Sequence, residues 1–126
     1  MIKRKRILSK LAKQKADIVC LQETHIMKSD EKYLEYPKLG KLYTSPADSR
    51  KKKGIAVYVK EDMKADLIWI DPNGRILIEL TEFGLIYPPT LLVVIYAPNE
   101  NQKEFFKQLH EKILGLEKRN ICILGD

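Results

Sequence analysis

The chain has 126 residues, of which 44% are hydrophobic and 32% charged. This length suits one domain with a modest core, and this composition excludes a disordered or fibrous polymer. Lysine and arginine number 23 against 17 acidic residues, a net charge of +6, so polyanions are the first partner class to weigh against a merely basic soluble protein.

Residues Lys3 to Gln14 have helical spacing, with Ile7, Leu8, Leu11 and Ala12 recurring on one face and lysines and arginines filling the rest. Their cluster Lys3–Arg6 has the composition of a nuclear signal as well as of a helix's solvated face. Asp17 to Gln22 is an apolar run without alternation, as in a strand covered on both faces. Met27 to Tyr36 is polar and carries at most a short helix, ended by Pro37; Leu42 to Thr44 is a short strand. A loop from Ser45 to Lys53 leads into the strand Gly54 to Val59. Asp71-Pro72-Asn73-Gly74 is a turn between two β-rich runs, Ala65 to Ile70 and Arg75 to Leu80, and predicts a hairpin. Glu82 to Pro89 is a connection, and Leu91 to Tyr96 is a central strand stopped at Pro98. Asn101, with Glu104 three places on, predicts a capping box for a helix that buries Phe105, Phe106, Leu109, Ile113 and Leu116. A last buried strand, Ile121 to Leu124, runs into Gly125-Asp126.

Helices outside a run of strands predict an α/β sandwich of mixed sheets. Cys20 and Cys122 make neither a zinc spacing nor a disulfide framework. Both lie in apolar runs and are expected to be buried, reduced thiols, as in an intracellular protein. No apolar run is long enough to span a bilayer, so no membrane role is expected.

Candidate chemistry gathers where buried strands end. Glu23 follows one such run and Asp126 another; carboxylates at the carboxyl ends of central strands stand where open α/β sheets bind ligands. Hard oxygen donors there suit Mg²⁺, with Mn²⁺ as a substitute. Against this, acidic residues end many strands because loops are polar. Tyr96 and Asn99 follow a third central strand, and a phenol there can hydrogen-bond a phosphate or a metal-bound water; an ordinary strand tyrosine and an Asn turn are the plainer alternative. His25 can position a phosphate or be an ordinary loop histidine. His110 belongs on a helix surface and Trp69 in a sheet core or edge. Arg50, Lys51, Lys52 and Lys53 form a basic loop that suits a nucleic-acid backbone or simply water.

The ordered set is Asp17 to His25 with its Gln22-Glu23-Thr24-His25, then Gly54 to Val59, then Tyr96-Ala97-Pro98-Asn99, then Leu124-Gly125-Asp126. It resembles the endonuclease/exonuclease/phosphatase family, and within it the endonuclease of long interspersed element (LINE) retrotransposons. The resemblance covers the whole chain. It implies a DNase I-like four-layer α/β sandwich, of which residues 1–126 form a single incomplete domain, roughly the first half. It further implies a Mg²⁺-dependent phosphodiesterase that nicks double-stranded DNA, needs no small-molecule cofactor and works in the nucleus. Residue by residue, it assigns metal binding to Glu23, contact with the scissile phosphate to Tyr96, and positioning of the water or phosphate to Asp126. Asn99 and His25 would shape the substrate site.

Departures from the family pattern carry equal weight. The family's opening strand, with its metal-site asparagine, has no counterpart here. Neither do the Phe-Asn after Asp126, a later Asp-containing loop, or a terminal Ser-Asp-His segment. The resemblance therefore implies a chain that is inactive or nearly so, supplies mostly one sheet, and self-associates through an exposed apolar sheet face. Two other readings stand beside it: a non-catalytic basic nucleic-acid-binding module, and a degenerate retroelement relic. Repair-type apurinic endonucleases share the fold.

Overall fold

The computed structural model describes residues 2–14, 16–22, 24, 32–45, 54–82, 88–117 and 120–125. The elements run α1 (Ile2–Lys13), β1 (Ile18–Gln22), β2 (Lys41–Ser45), β3 (Ile55–Val59), β4 (Lys64–Ile70), β5 (Ile76–Glu82), β6 (Thr90–Ile95), α2 (Gln102–Gly115) and β7 (Ile121–Gly125). They build two sheets. The first has the order β1-β3-β2 and is antiparallel throughout; the second has the order β4-β5-β6-β7, with β6 and β7 parallel.

Alternation along the two central strands sorts the side chains into three apolar layers. On β3, Ala56 and Tyr58 face α1, where they meet Leu8, Val19, Leu34 and Leu39. The other β3 residues, Ile55, Val57 and Val59, face the second sheet and pack on Leu77, Leu92 and Val94. On β6, Leu91, Val93 and Ile95 point outward to Leu109 of α2, with Phe105, Ile113 and Leu116 alongside. Both strands are covered on both faces, which is why their sequences are unbroken apolar runs. The stack is therefore helix, sheet, sheet, helix, a four-layer α/β sandwich as the fold class predicts.

Several expectations need correction. Both sheets are present, so the inner face expected to be exposed is the buried layer between them. Strand β7, read as buried from its composition, is exposed along its whole length because it lies at the open edge of its sheet. Cys122 is accordingly exposed rather than buried, and Cys20 is half-buried. Asn101 does not cap α2 with its side chain: it adopts the left-handed region at φ 58° and ψ 35°. Asparagine tolerates that conformation better than most residues. Glu104, its expected partner, instead accepts a hydrogen bond from Gln108. Phe106 and Ile7 stand on the solvent side of their helices. Of the stretch Met27 to Tyr36, where at most a short helix was expected, positions 27–31 lie outside the described residues and positions 32–34 form a 3₁₀ turn.

The Asp71–Gly74 turn does join β4 to β5 as an antiparallel hairpin, with one register shift between Leu67 and Trp69. Trp69 is a half-buried sheet residue under α2, with the Lys112 ammonium 4.8 Å from its ring centroid. His110 is exposed, as expected. Among the described residues, no helix is long and apolar enough to cross a membrane.

Candidate active site at the strand ends

The carboxyl ends of β1, β6 and β7 meet at one end of the sandwich. Gln22, the last residue of β1, donates from Nε2 to the Ile95 carbonyl at the end of β6, at 2.7 Å. That bond ties the two sheets together across the interior. Gly125, the last residue of β7, pairs with Ile95 in register and has φ +127°. A Cβ at this glycine would stand 2.0 Å from the Ile95 carbonyl oxygen and 2.5 Å from Gln22 Nε2. Only glycine fits, on space and on dihedral angle alike. The segments containing Gln22, Ile95-Tyr96 and Gly125, far apart in sequence, are thus in direct contact.

Tyr96 is held from the neighbouring hairpin. Its N–H donates to the Arg75 carbonyl at 2.8 Å. Arg75 Nη1 donates to the Tyr96 carbonyl at 3.0 Å, and the guanidinium lies 5.4 Å from the Tyr96 ring centroid, within cation–π range. Arg75 is itself positioned by Asp71. The Asp71 carboxylate accepts from the backbone N–H of Arg75 at 2.7 Å and Ile76 at 2.8 Å through Oδ1, and from Asn73 at 3.3 Å through Oδ2. Ser45, the last residue of β2, donates to the Asp71 carbonyl and to Oδ1 at 3.3 and 3.4 Å. The Gly54 N–H donates to the Gly74 carbonyl at 3.1 Å, a further stitch between the sheets at this end.

Of the residues singled out from sequence, Tyr96 sits at this end half-buried, and Asn99 is exposed in the bend before α2. Glu23, His25, Arg50, Lys51, Lys52, Lys53 and Asp126 lie outside the described residues. By connectivity, Glu23 follows Gln22 and Asp126 follows Gly125, and the basic run Arg50–Lys53 lies in the sequence between Ser45 and Gly54. Two participants were missed. Gln22 was quoted within its motif and given no role, although a polar residue ending an apolar strand was a signal. Arg75 was read as an ordinary strand residue, because pairing between β5 and β6 is not written in either strand.

Among the described residues, no three His, Cys, Asp or Glu side chains cluster to hold a metal. Oxygen donors for a hard cation at this end would be Glu23 and Asp126, assigned by resemblance and each one residue from the Gln22–Ile95–Gly125 contact. Cys20 is no nucleophile: burial, then the nearby Glu79 and Cys122, push its thiol up to about 11.

A two-sheet α/β sandwich whose strand ends converge beside a tyrosine braced by an arginine has its candidate site where α/β sheets bind ligands, outside the carboxyl ends of the strands. The chain belongs to the Endonuclease/Exonuclease/phosphatase family, which it matches over residues 1–126. That family comprises nuclease- and phosphatase-type hydrolases that generally depend on a divalent metal.

Proposed function

We propose that these residues carry the metal-binding and phosphate-facing part of a Mg²⁺-dependent endonuclease of retrotransposon type, acting on double-stranded DNA in the nucleus. The observation that carries this reading is the contact of Gln22, Ile95 and Gly125, which draws three motif-bearing strand ends to one place. Glu23 and Asp126 would supply carboxylate oxygens. Tyr96 and Arg75 would face a phosphate, Asn99 and His25 would border the substrate, and Arg50–Lys53 would follow the DNA backbone. Bound Mg²⁺ supplies Lewis-acid polarisation of the phosphoryl oxygen. The 126 residues alone are expected to cut DNA very slowly or not at all. The histidine among the described residues, His110, lies eight positions into α2 from Gln102, roughly 12 Å along the helix.

Mn²⁺ titrated into the ¹⁵N-labelled chain tests the site. The amide signals of Gln22, Tyr96 and Gly125 are expected to broaden first, and not to do so in Glu23→Ala. Uniform broadening, or identical behaviour in the two proteins, would remove the metal-dependent reading. The same samples incubated with supercoiled plasmid and Mg²⁺ test the second part. Nicking that disappears in Glu23→Ala would keep the endonuclease and overturn the claim of near inactivity.

DNA binding gives a separate check on Arg75. Arg75→Ala is expected to weaken plasmid binding and to reduce the slope of log affinity against log salt by about 1. Arg75→Lys should restore the slope but not the full affinity, because an ammonium lacks the planar fork of donors. An unchanged slope in Arg75→Ala would place its guanidinium away from the phosphates.

A further inference from the structure

Glu79 is the least expected residue of the interior. Strand β5 alternates, so Leu77 enters the layer between the sheets, Ile78 turns to α2, and Glu79 returns to the layer between the sheets. It pairs with Leu67 on β4 and Leu92 on β6, and its relative exposure is 0%. Neither carboxyl oxygen has a hydrogen-bond partner among the described residues. Central strand β3 contributes Ile55, Val57 and Val59 to this layer, and β6 contributes Leu92 and Val94, none of which can satisfy a carboxylate. Among the described residues, the titratable groups that bear on it are few: Lys41 from β2, Cys20 from β1, and Cys122 of β7 through Cys20. Tyr43 of β2 lies in the same layer, but its hydroxyl is committed to the Ala65 carbonyl at 3.0 Å.

A buried carboxyl without partners is far cheaper to hold neutral than ionised. We propose that Glu79 is a pH-sensitive latch between the two sheets: protonated, it lets the inter-sheet layer close, and ionised, it loosens that layer. The flank made by β1 and β7 is the natural place for loosening, since both are edge strands and Cys122 there is already exposed. Burial raises the Glu79 carboxyl from 4.5 to about 7, with attraction to Lys41 working in the opposite direction. In the unfolded chain the group returns to 4.5. Between these values the folded chain holds a proton that the unfolded chain has released. This group's contribution to stability is therefore full below pH 4.5, falls as pH rises towards 7, and is flat above.

Urea unfolding of the wild type, Glu79→Gln and Glu79→Leu across this range tests the latch. Relative to either variant, the wild-type ratio of folded to unfolded chain is expected to fall about 70-fold between roughly pH 5 and 8. Equal pH dependence in all three proteins would overturn the proposal. Should either variant fail to fold, the ¹³C-carboxyl titration of Glu79 in the wild type decides alone. A midpoint near 7 is expected, and a midpoint at the ordinary 4.5 would overturn the latch.

Discussion

Asp71→Ala is expected to destabilise the fold by about 3–4 kcal/mol, read as a lower urea midpoint with an unchanged slope. This carboxylate is buried, and its oxygens accept from three backbone N–H groups in the turn, two of them at 2.7 and 2.8 Å. Each bond to a charged acceptor is worth about 1.5–3 kcal/mol, and alanine would leave the buried Ile76 N–H without its side-chain acceptor. Domains of this size have a net stability of about 5–15 kcal/mol, so the loss is a large share of the whole. Asp71→Asn keeps a carbonyl acceptor but no charge and should lose about half as much. The effect should also reach the site, because Asp71 fixes Arg75 and the Arg75 carbonyl receives the Tyr96 N–H. A loss below about 1 kcal/mol in Asp71→Ala would show that the turn holds itself by backbone geometry alone.

That turn was legible from sequence because its information is local. Asp-Pro-Asn-Gly between two β-rich runs states a reversal whatever surrounds it. The strands β3 and β6 were legible for a similar reason: an apolar run without alternation means cover on both faces. The same rule failed for Ile121–Leu124, whose exposure depends on its place at a sheet edge, a tertiary fact. Assignment of strands to sheets was also hidden. The chain passes from β3 in one sheet to β4 in the other through the short turn at 60–63, which reads no differently from a hairpin connection. The expectation of mostly one sheet came instead from the family segments without counterpart here, and nothing in that turn spoke against it. Glu79 shows the same limit from the other side: a glutamate within Ile-Leu-Ile-Glu-Leu carries no local sign of burial, yet its strand is covered on both faces.

The candidate site was legible in part. Tyr96 was singled out from a strand stopped by proline, and its position at the shared end of β1, β6 and β7 is what the structure adds. Arg75 and Gln22 were not found, since their roles consist of contacts to backbone groups far along the chain: Gln22 and Ile95 are 73 positions apart. Side chains that bond a distant carbonyl leave no spacing pattern to read. The role of Gly125 was invisible for the same reason, and it supplies the most direct test of how the strand ends depend on one another.

Gly125→Ala is expected to separate β7 from the other two strand ends. The added methyl would occupy space already filled by the Ile95 carbonyl oxygen, at 2.0 Å, and by Gln22 Nε2, at 2.5 Å. The amide end of Gln22 can swing away, but only by breaking its bond to Ile95. The carbonyl is part of the β6 ladder and has no comparable freedom. At φ +127° an L-residue is strained by about 1–3 kcal/mol even where space is free. With about 1 kcal/mol for the lost hydrogen bond, the local penalty reaches about 2–4 kcal/mol. Detaching the end of β7 relieves it most easily, since that strand is an exposed edge. Global stability should therefore fall by less than this penalty, while the Mn²⁺-dependent broadening at Gln22 and Tyr96 weakens sharply. Gly115→Ala is the control: it ends α2, has nothing within 4 Å of an added Cβ, and should stabilise the helix by up to about 1 kcal/mol. If Gly125→Ala matched Gly115→Ala in both stability and metal response, the end of β7 would have no part in the site. The carboxylate of Asp126 would then have to be dropped from it.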